Sequence, residues 1–325
     1  MSARTRFAGN VVALLVVAGA SQAANAEPLR IAYPIWVGNG PLFVAQEKGF
    51  FSAEGIDVHL INIEDTQHEA LADGQIDAGA ATINTTVLYA AKLEDRFVCV
   101  LAMDESLGGD GIVAHKDIRS IADLRGKTVA SNHDTVGQFY LNVLLMAEGL
   151  TEADIESVDL DSQNAAEAFM LQEVDAAVTF EPWLTQSKNT EHGHLLTDSS
   201  QHPGLIVDCL YTTPALFSER KAEFQALARA WAAAVDYIAA HPEKAIEIMA
   251  RNVGGWLEDP AVFAETLKGI RLYDEQRNRE YFGTPDKPGQ IYDTAQKIID
   301  VWTSLGVLKA QVTPADMIAH GIWDD

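Results

Sequence analysis

The 325-residue chain carries 23 Lys and Arg against 47 Asp and Glu, a formal charge of −24. That excess of acid excludes nucleic acid and anionic membrane surfaces as partners. Two cysteines are too few for a disulfide scaffold; Cys99 and Cys209 sit in the strand-like apolar runs FVCVLAM and LIVDCLY, which favours buried thiols over the bond an oxidising compartment would permit.

Residues 1–26 have Arg4 and Arg6 in front, an apolar stretch from Val11 to Ala20 and a small-x-small ending at Ala24-Asn25-Ala26. This pattern predicts a secretory signal peptide cut before Glu27. The apolar stretch is shorter than the roughly 20 residues of a membrane span. No cysteine stands at the cleavage site to carry a lipid, so the mature protein is expected to be exported and free in solution. Cleavage removes two arginines and no acid, taking the formal charge from −24 to −26. The rest of the chain exceeds what one core usually holds and predicts two lobes.

The first unit reads as strand LRIAY (29–33), a helix opening at Pro41, strand HLINI (59–63), a helix around HEALADG (68–74) and strand DAGAATI (77–83). The second repeats that order with KTVAS (127–131), a helix from about Thr135, SVDL (157–160), a helix around AAEAFM (165–170) and DAAVTF (175–180). The two copies echo each other: EALADGQIDAGAAT (69–82) parallels EAFMLQEVDAAVTF (167–180) at an offset of 98. Alternating strands and helices predict mostly parallel sheets flanked by helices, hence an α/β fold of two lobes. Beyond Phe217 the spacing is helical, with a break at His241-Pro242 and a last short helix after Thr313-Pro314. These helices are expected to close over the first lobe, with Trp231, Trp256 and Trp302 in that packing.

Between two strand-like runs lies DESLGGDG (104–111). A calcium loop would need oxygen ligands at its fifth and twelfth positions, and counting from Asp104 those are Gly108 and His115. A glycosidase acid pair would need a second carboxyl at a defined separation, which a sequence does not show. What remains is a solvated acidic turn, or a joint whose glycines permit unusual backbone angles or close approach.

WVGNGPLFVAQEKGFFSAEGIDV (36–58), DGQIDAGAATINTT (73–86), IRSIADLRGKTVAS (118–131), DAAVTFEPW (175–183) and TPALFSER (213–220), in this order, resemble the SsuA/THI5-like solute-binding proteins of ABC importers. That group takes in nitrate, sulfonate and taurine receptors and binders of pyrimidine precursors. The resemblance implies a type II periplasmic binding protein fold, with a discontinuous lobe 1 (27–113 and 210–325) and an inserted lobe 2 (114–209). Crossings are then expected near Ile112 to His115 and Asp208 to Thr212. It further implies a small-molecule ligand in the cleft, ABC permease subunits as partners, and a monomer without cofactor or metal.

In open α/β sheets ligands lie beyond the carboxyl ends of the strands. That rule selects Trp36, Asn39, Glu64, Asp65, Asn84 and Thr85 from lobe 1, and Asn132, Asp134, Thr135, Glu181 and Trp183 from lobe 2. Asp104 and Asp110 join them at the cleft mouth. Trp36 and Trp183 are placed to clamp a small solute. The helix starting near Thr135 could receive an anion, as sulfonate binders resembling this region do, yet Asp134 is positioned to cap it instead. The histidines are scattered with no metal-ligand spacing, and no nucleophile elbow or phosphate loop is present, so no catalytic residue is assigned. Carboxylates without a Lys or Arg among them predict an amine-bearing solute, zwitterionic like taurine or cationic, stacked on Trp36 with its positive end toward Asp110 and Glu181. The alternatives are a simple anion such as nitrate or an alkyl sulfonate, or a thiamin-related pyrimidine precursor, for which some relatives are enzymes.

Overall fold

The computed structural model describes residues 27–308 and 312–324; the expected signal peptide lies outside them. Eleven strands build its two main sheets: β1 (Leu29–Tyr33), β2 (Val58–Asn62), β3 (Ala78–Thr82), β4 (Val98–Ser106), β5 (Asp110–His115), β6 (Thr128–Ser131), β7 (Glu156–Asp159), β8 (Ala176–Phe180), β9 (Gly193–Asp198), β10 (Val207–Thr212) and β11 (Ile270–Leu272). The first sheet runs β11-β4-β10-β3-β1-β2 and the second β7-β6-β8-β5-β9. In each, the repeated unit supplies three parallel strands: β2, β1 and β3, then β7, β6 and β8. Strands that pass between the sheets are antiparallel to that core, β10 to β3 and β5 to β8.

The crossings differ from the expected ones. β5 pairs with β8 from Asp110 onward, so the chain leaves the first sheet at residues 107–109 and not near Ile112 to His115. β10 pairs with β3 and β4 from its first residues, so the return falls at 199–206, before Asp208. Backbone geometry accounts for the first shift. Gly108 adopts φ +104, a left-handed angle that an L side chain resists, whereas Ile112 to His115 lie within β5, paired to β8 and β9. The joint is also braced: Leu107 and Gly109 donate their N–H groups to the Gly269 carbonyl at 2.8 and 2.9 Å, and the Ser199 hydroxyl meets the Gly108 N–H and the Ser106 hydroxyl at 2.7 Å each. A Cβ on Gly109 would lie 2.9 Å from the Gly269 carbonyl oxygen. Gly109→Ala is therefore expected to lower unfolding stability by about 1–3 kcal/mol in urea titrations, the scale of overpacking against backbone.

Of the C-terminal helices, Lys221–Ala240 and Pro242–Val253 pack on the helix Gly40–Glu47 of the first lobe, with Pro242 opening the second where the sequence breaks. Helix Gln290–Ser304 instead touches both lobes, through Ile83–Leu93 of the first and Val136–Ala147 of the second. Trp231 and Trp302 are fully buried; their indole N–H groups donate to the carbonyls of Tyr273 at 2.8 Å and Asn84 at 3.0 Å. Cys99 and Cys209 are buried and free. No helix of the described residues is long and apolar enough to cross a membrane.

Candidate functional site

β4 is buried over all nine of its residues, so the acids near its end are carried into the interior. Glu105 is neutralised there: the Arg271 guanidinium donates to one oxygen at 2.7 Å and the Gly204 N–H to the other at 2.7 Å. Asp104 has no such cation. It receives the Trp36 indole N–H on Oδ1 at 3.3 Å, while Oδ2, fully buried, receives no hydrogen bond. Directly across the ladder stands Asp208 of β10. Asp110, 7% exposed, opens β5 on the far side of the joint. Among the described residues no Lys, Arg or His forms an ion pair with any of the three, nor is any group of three or more His, Cys, Asp and Glu arranged to hold a metal.

Withdrawal from water dominates their ionisation. Burial pushes the Asp104 carboxyl up to about 7, with the Trp36 hydrogen bond opposing and the charges of Asp110 and Glu105 reinforcing it. Burial likewise lifts Asp110 to about 6 against a hydrogen bond from Ser106, and the charge of Glu181 adds to the rise. Asp208 is driven well above the carboxylate range by burial and then by Asp104 and Asp110. Two facing carboxyls in this setting hold a proton between them near neutral pH and titrate as a pair. Asp208 nonetheless keeps some solvent-accessible surface, so the pair is open to solvent on that side.

Above the acids four aromatic rings meet across the two lobes. Trp36 follows β1, Trp256 lies in the turn Gly255–Leu257, Phe180 ends β8 and Trp183 follows it. Phe180 touches the other three, with ring centroids 5.8 Å from Trp36, 5.1 Å from Trp183 and 6.3 Å from Trp256; Trp183 and Trp256 are 5.2 Å apart. All four are half-buried. Gly38 lets the loop after β1 reach this floor: a Cβ there would lie 1.8 Å from Asp104 Oδ2.

The structure thus joins Trp36, Asp104, Asp110 and Trp183. Other expected residues are engaged elsewhere. Asn39 is buried and donates its amide to the Pro34 carbonyl at 2.9 Å, shaping the loop and not facing the cleft. Glu64 accepts from the Ile35 N–H and the Asn62 amide, and Asp65 is exposed. Asn84 and Thr85 begin the helix Ile83–Leu93, where the Thr85 hydroxyl bonds that of Thr82 at 2.8 Å. Thr135, not Asp134, caps the helix Val136–Ala147, accepting from the Gly137 N–H and donating to the Asn132 carbonyl. Asp134, at φ 59, instead pairs with Lys92 of the other lobe at 2.5 Å. Glu181 is also committed, since it accepts from the Thr185 N–H and hydroxyl and has Lys188 at 3.7 Å. A carboxylate so satisfied has little to offer a solute. Asp208, Phe180 and Trp256 were missed as site residues. The available signals were one acid inside the apolar run LIVDCLY and an aromatic at the end of DAAVTF; Trp256, expected in core packing, carried none.

Two sheets of this topology, facing each other across two crossings, define the periplasmic binding protein fold. The NMT1/THI5-like family matches residues 37–245, well over half of the chain, and the chain belongs to it. A Brucella abortus protein named only as a binding protein is 23% identical over 300 residues, covering 89% of each chain. The 4-amino-5-hydroxymethyl-2-methylpyrimidine phosphate synthase of Aspergillus parasiticus is 25% identical over 234 residues, 64% of this chain and 65% of that one. Among solved structures, the aliphatic sulphonate binding protein SsuA of Escherichia coli superposes with a TM-score of 0.73 at 17% identity, covering 91% of this chain and 92% of the other. The nitrate-binding protein NrtA of Synechocystis PCC 6803 gives 0.63 at 16% identity, over 89% and 84%. At such identities the structural likeness establishes the fold.

Proposed function

We propose that this protein is an exported periplasmic receptor that binds a small amine-bearing solute, zwitterionic or cationic, between its lobes and hands it to an ABC permease. It acts as a monomer whose lobes, 27–106 with 207–324 and 110–198, close about the two crossings. The observation that carries the reading is the group of buried Asp104 and Asp110 with half-buried Asp208, set against aromatic rings, with no cation among the described residues to neutralise it. Buried carboxylates without a counter-charge are costly, and an ammonium group removes that cost on binding. The signal-peptide pattern and the family's receptor members support export and transport. The anion alternative loses ground because the helix start at Thr135 is already capped by its own hydroxyl and the one nearby cation among the described residues, Lys92, is already paired with Asp134. An enzyme would have to bind its transition state better than its ligand, whereas a receptor returns its ligand intact. Recovery of a chemically altered solute over many turnovers would count against the proposal.

Native mass spectrometry of gently purified protein should show a small amine travelling with it. Calorimetry with that amine then separates the two acids assigned to its positive end from sequence. Asp110→Asn should weaken affinity by about 2 kcal/mol, the scale of a lost charge-assisted hydrogen bond. Glu181→Gln should leave affinity unchanged and cost about 1 kcal/mol of stability, because its carboxylate serves Thr185. Equal affinity in both variants and the native protein would remove the assignment.

A further inference from the structure

We infer that the Asp104–Asp208 pair is the subsite for the N–H end of the solute, and that the proton the two carboxyls share leaves for solvent when the cation's N–H groups take its place. This rests on the receptor reading above and adds the class of cation selected.

Asp104 Oδ2 lies at the centre of the argument. It is fully buried and finds no donor among the peptide, hydroxyl, amide and cationic groups around it. Every neighbouring element fails to supply one. From the loop after β1, Trp36 serves the other oxygen and Gly38 offers only its Cα. On β11, Arg271 is taken by Glu105, and on β3 the residue opposite Asp208 is Thr82, whose hydroxyl bonds Thr85. Across the joint stand Asp110 and, beyond it, Glu181, both acids, while the buried hydroxyl of Tyr140, in the helix Val136–Ala147, bonds neither Asp104 nor any other group. Asp208 can donate to Asp104, but only while protonated.

An acceptor short of a donor selects a cation that carries N–H bonds, such as a primary or secondary ammonium or an amidinium. A quaternary ammonium has none and binds by sitting over ring faces. The rings here touch each other at 5.1–6.3 Å between centroids and do not surround an open space of that kind. As N–H groups arrive, both carboxyls become carboxylates and the shared proton departs over the accessible side of Asp208. Binding and proton release are then linked, so affinity rises with pH across the neutral range.

The test is calorimetry near pH 7 in phosphate and in PIPES, whose ionisation heats differ and neither of which is a primary or secondary ammonium, with matched probes: ethanolamine against choline, 4-aminobutyrate against its N-trimethyl derivative, and taurine. The N–H member of a pair should bind about ten-fold tighter or more, and its apparent enthalpy should shift between buffers by about one proton released per solute. Asp208→Asn keeps a permanent donor to Asp104, so it should fold and melt normally, lose the buffer dependence and bind about ten-fold more weakly. Tight binding of an N–H probe without buffer dependence, trimethylated probes binding equally well, or proton release persisting in Asp208→Asn would each overturn the inference while leaving an amine receptor. Failure of every probe to bind, with no amine carried by the purified protein, would overturn the receptor reading and this inference with it.

Discussion

Gly38→Ala is expected to weaken solute binding on the order of 100-fold, about 2.7 kcal/mol. The cause is space and not backbone angle. An added Cβ would lie 1.8 Å from Asp104 Oδ2, 2.4 Å from its Cγ and 2.9 Å from the Trp36 indole nitrogen. Asp104 cannot step aside, because β10 and β11 flank β4 and the residue is wholly buried. Trp36 must therefore swing away, breaking its hydrogen bond to Asp104 and its edge contact with Phe180. Stability should fall as well, by about 1–3 kcal/mol, as for other overpacked sites. Gly40 two residues on makes the control. Its Cβ would meet the Met249 side chain first, at 2.6 Å from the sulfur, and a flexible thioether can move. Adding Asp104→Ala to Gly38→Ala should restore the melting temperature by relieving the clash, yet not the binding, a coupling that a double-mutant cycle reads directly. Full affinity in Gly38→Ala would show that the loop does not rest on Asp104 in solution.

What could be read in advance follows the range of the interactions involved. The strand LRIAY became β1 over the same residues, and DAGAATI became β3 with only its ends trimmed, because local periodicity and flanking turns decide such segments. Trp36, Asp104, Asp110 and Trp183 were legible because strand ends and a Gly-rich joint mark them within a few residues. Asp208 and Trp256 were not. Asp208 faces Asp104 across 104 positions of chain through the β4–β10 register, and Trp256 arrives from the C-terminal helices. Nothing local specifies either meeting. Partner choice among nearby groups was equally hidden: Glu181 looked free until Thr185, one helical turn on, was seen to claim it. Asp134 looked like a cap until its left-handed backbone turned its carboxylate to Lys92.

Raising the pH from 6.5 to 8 should destabilise the solute-free protein by about 1–2 kcal/mol. The sign follows from which state holds more protons. In the folded chain Asp104 titrates at about 7, Asp110 at about 6 and Asp208 well above the ordinary 3.8, so the native state keeps protons that the unfolded chain has already lost. Stability from such raised carboxyls is complete below about 4 and is lost as pH climbs through their folded values. His68 works the other way. Burial between the rings of Tyr89 and Tyr211 lowers it from 6.5 to about 3, so its contribution is present above 6.5 and is lost on acidification. Through the neutral range the two effects oppose each other, since an unfolded histidine is still about half protonated at 6.5; His202 and His320, which burial also lowers, act with His68. Urea titrations at pH 6.5 and 8.0 on the native protein and on Asp208→Asn separate the acids' share from that of the histidines. Asp208→Asn removes the proton-sharing partner and should remove the acids' share of the dependence, and a variant with the same pH dependence as the native protein would mean that the facing carboxyls of β4 and β10 do not share a proton.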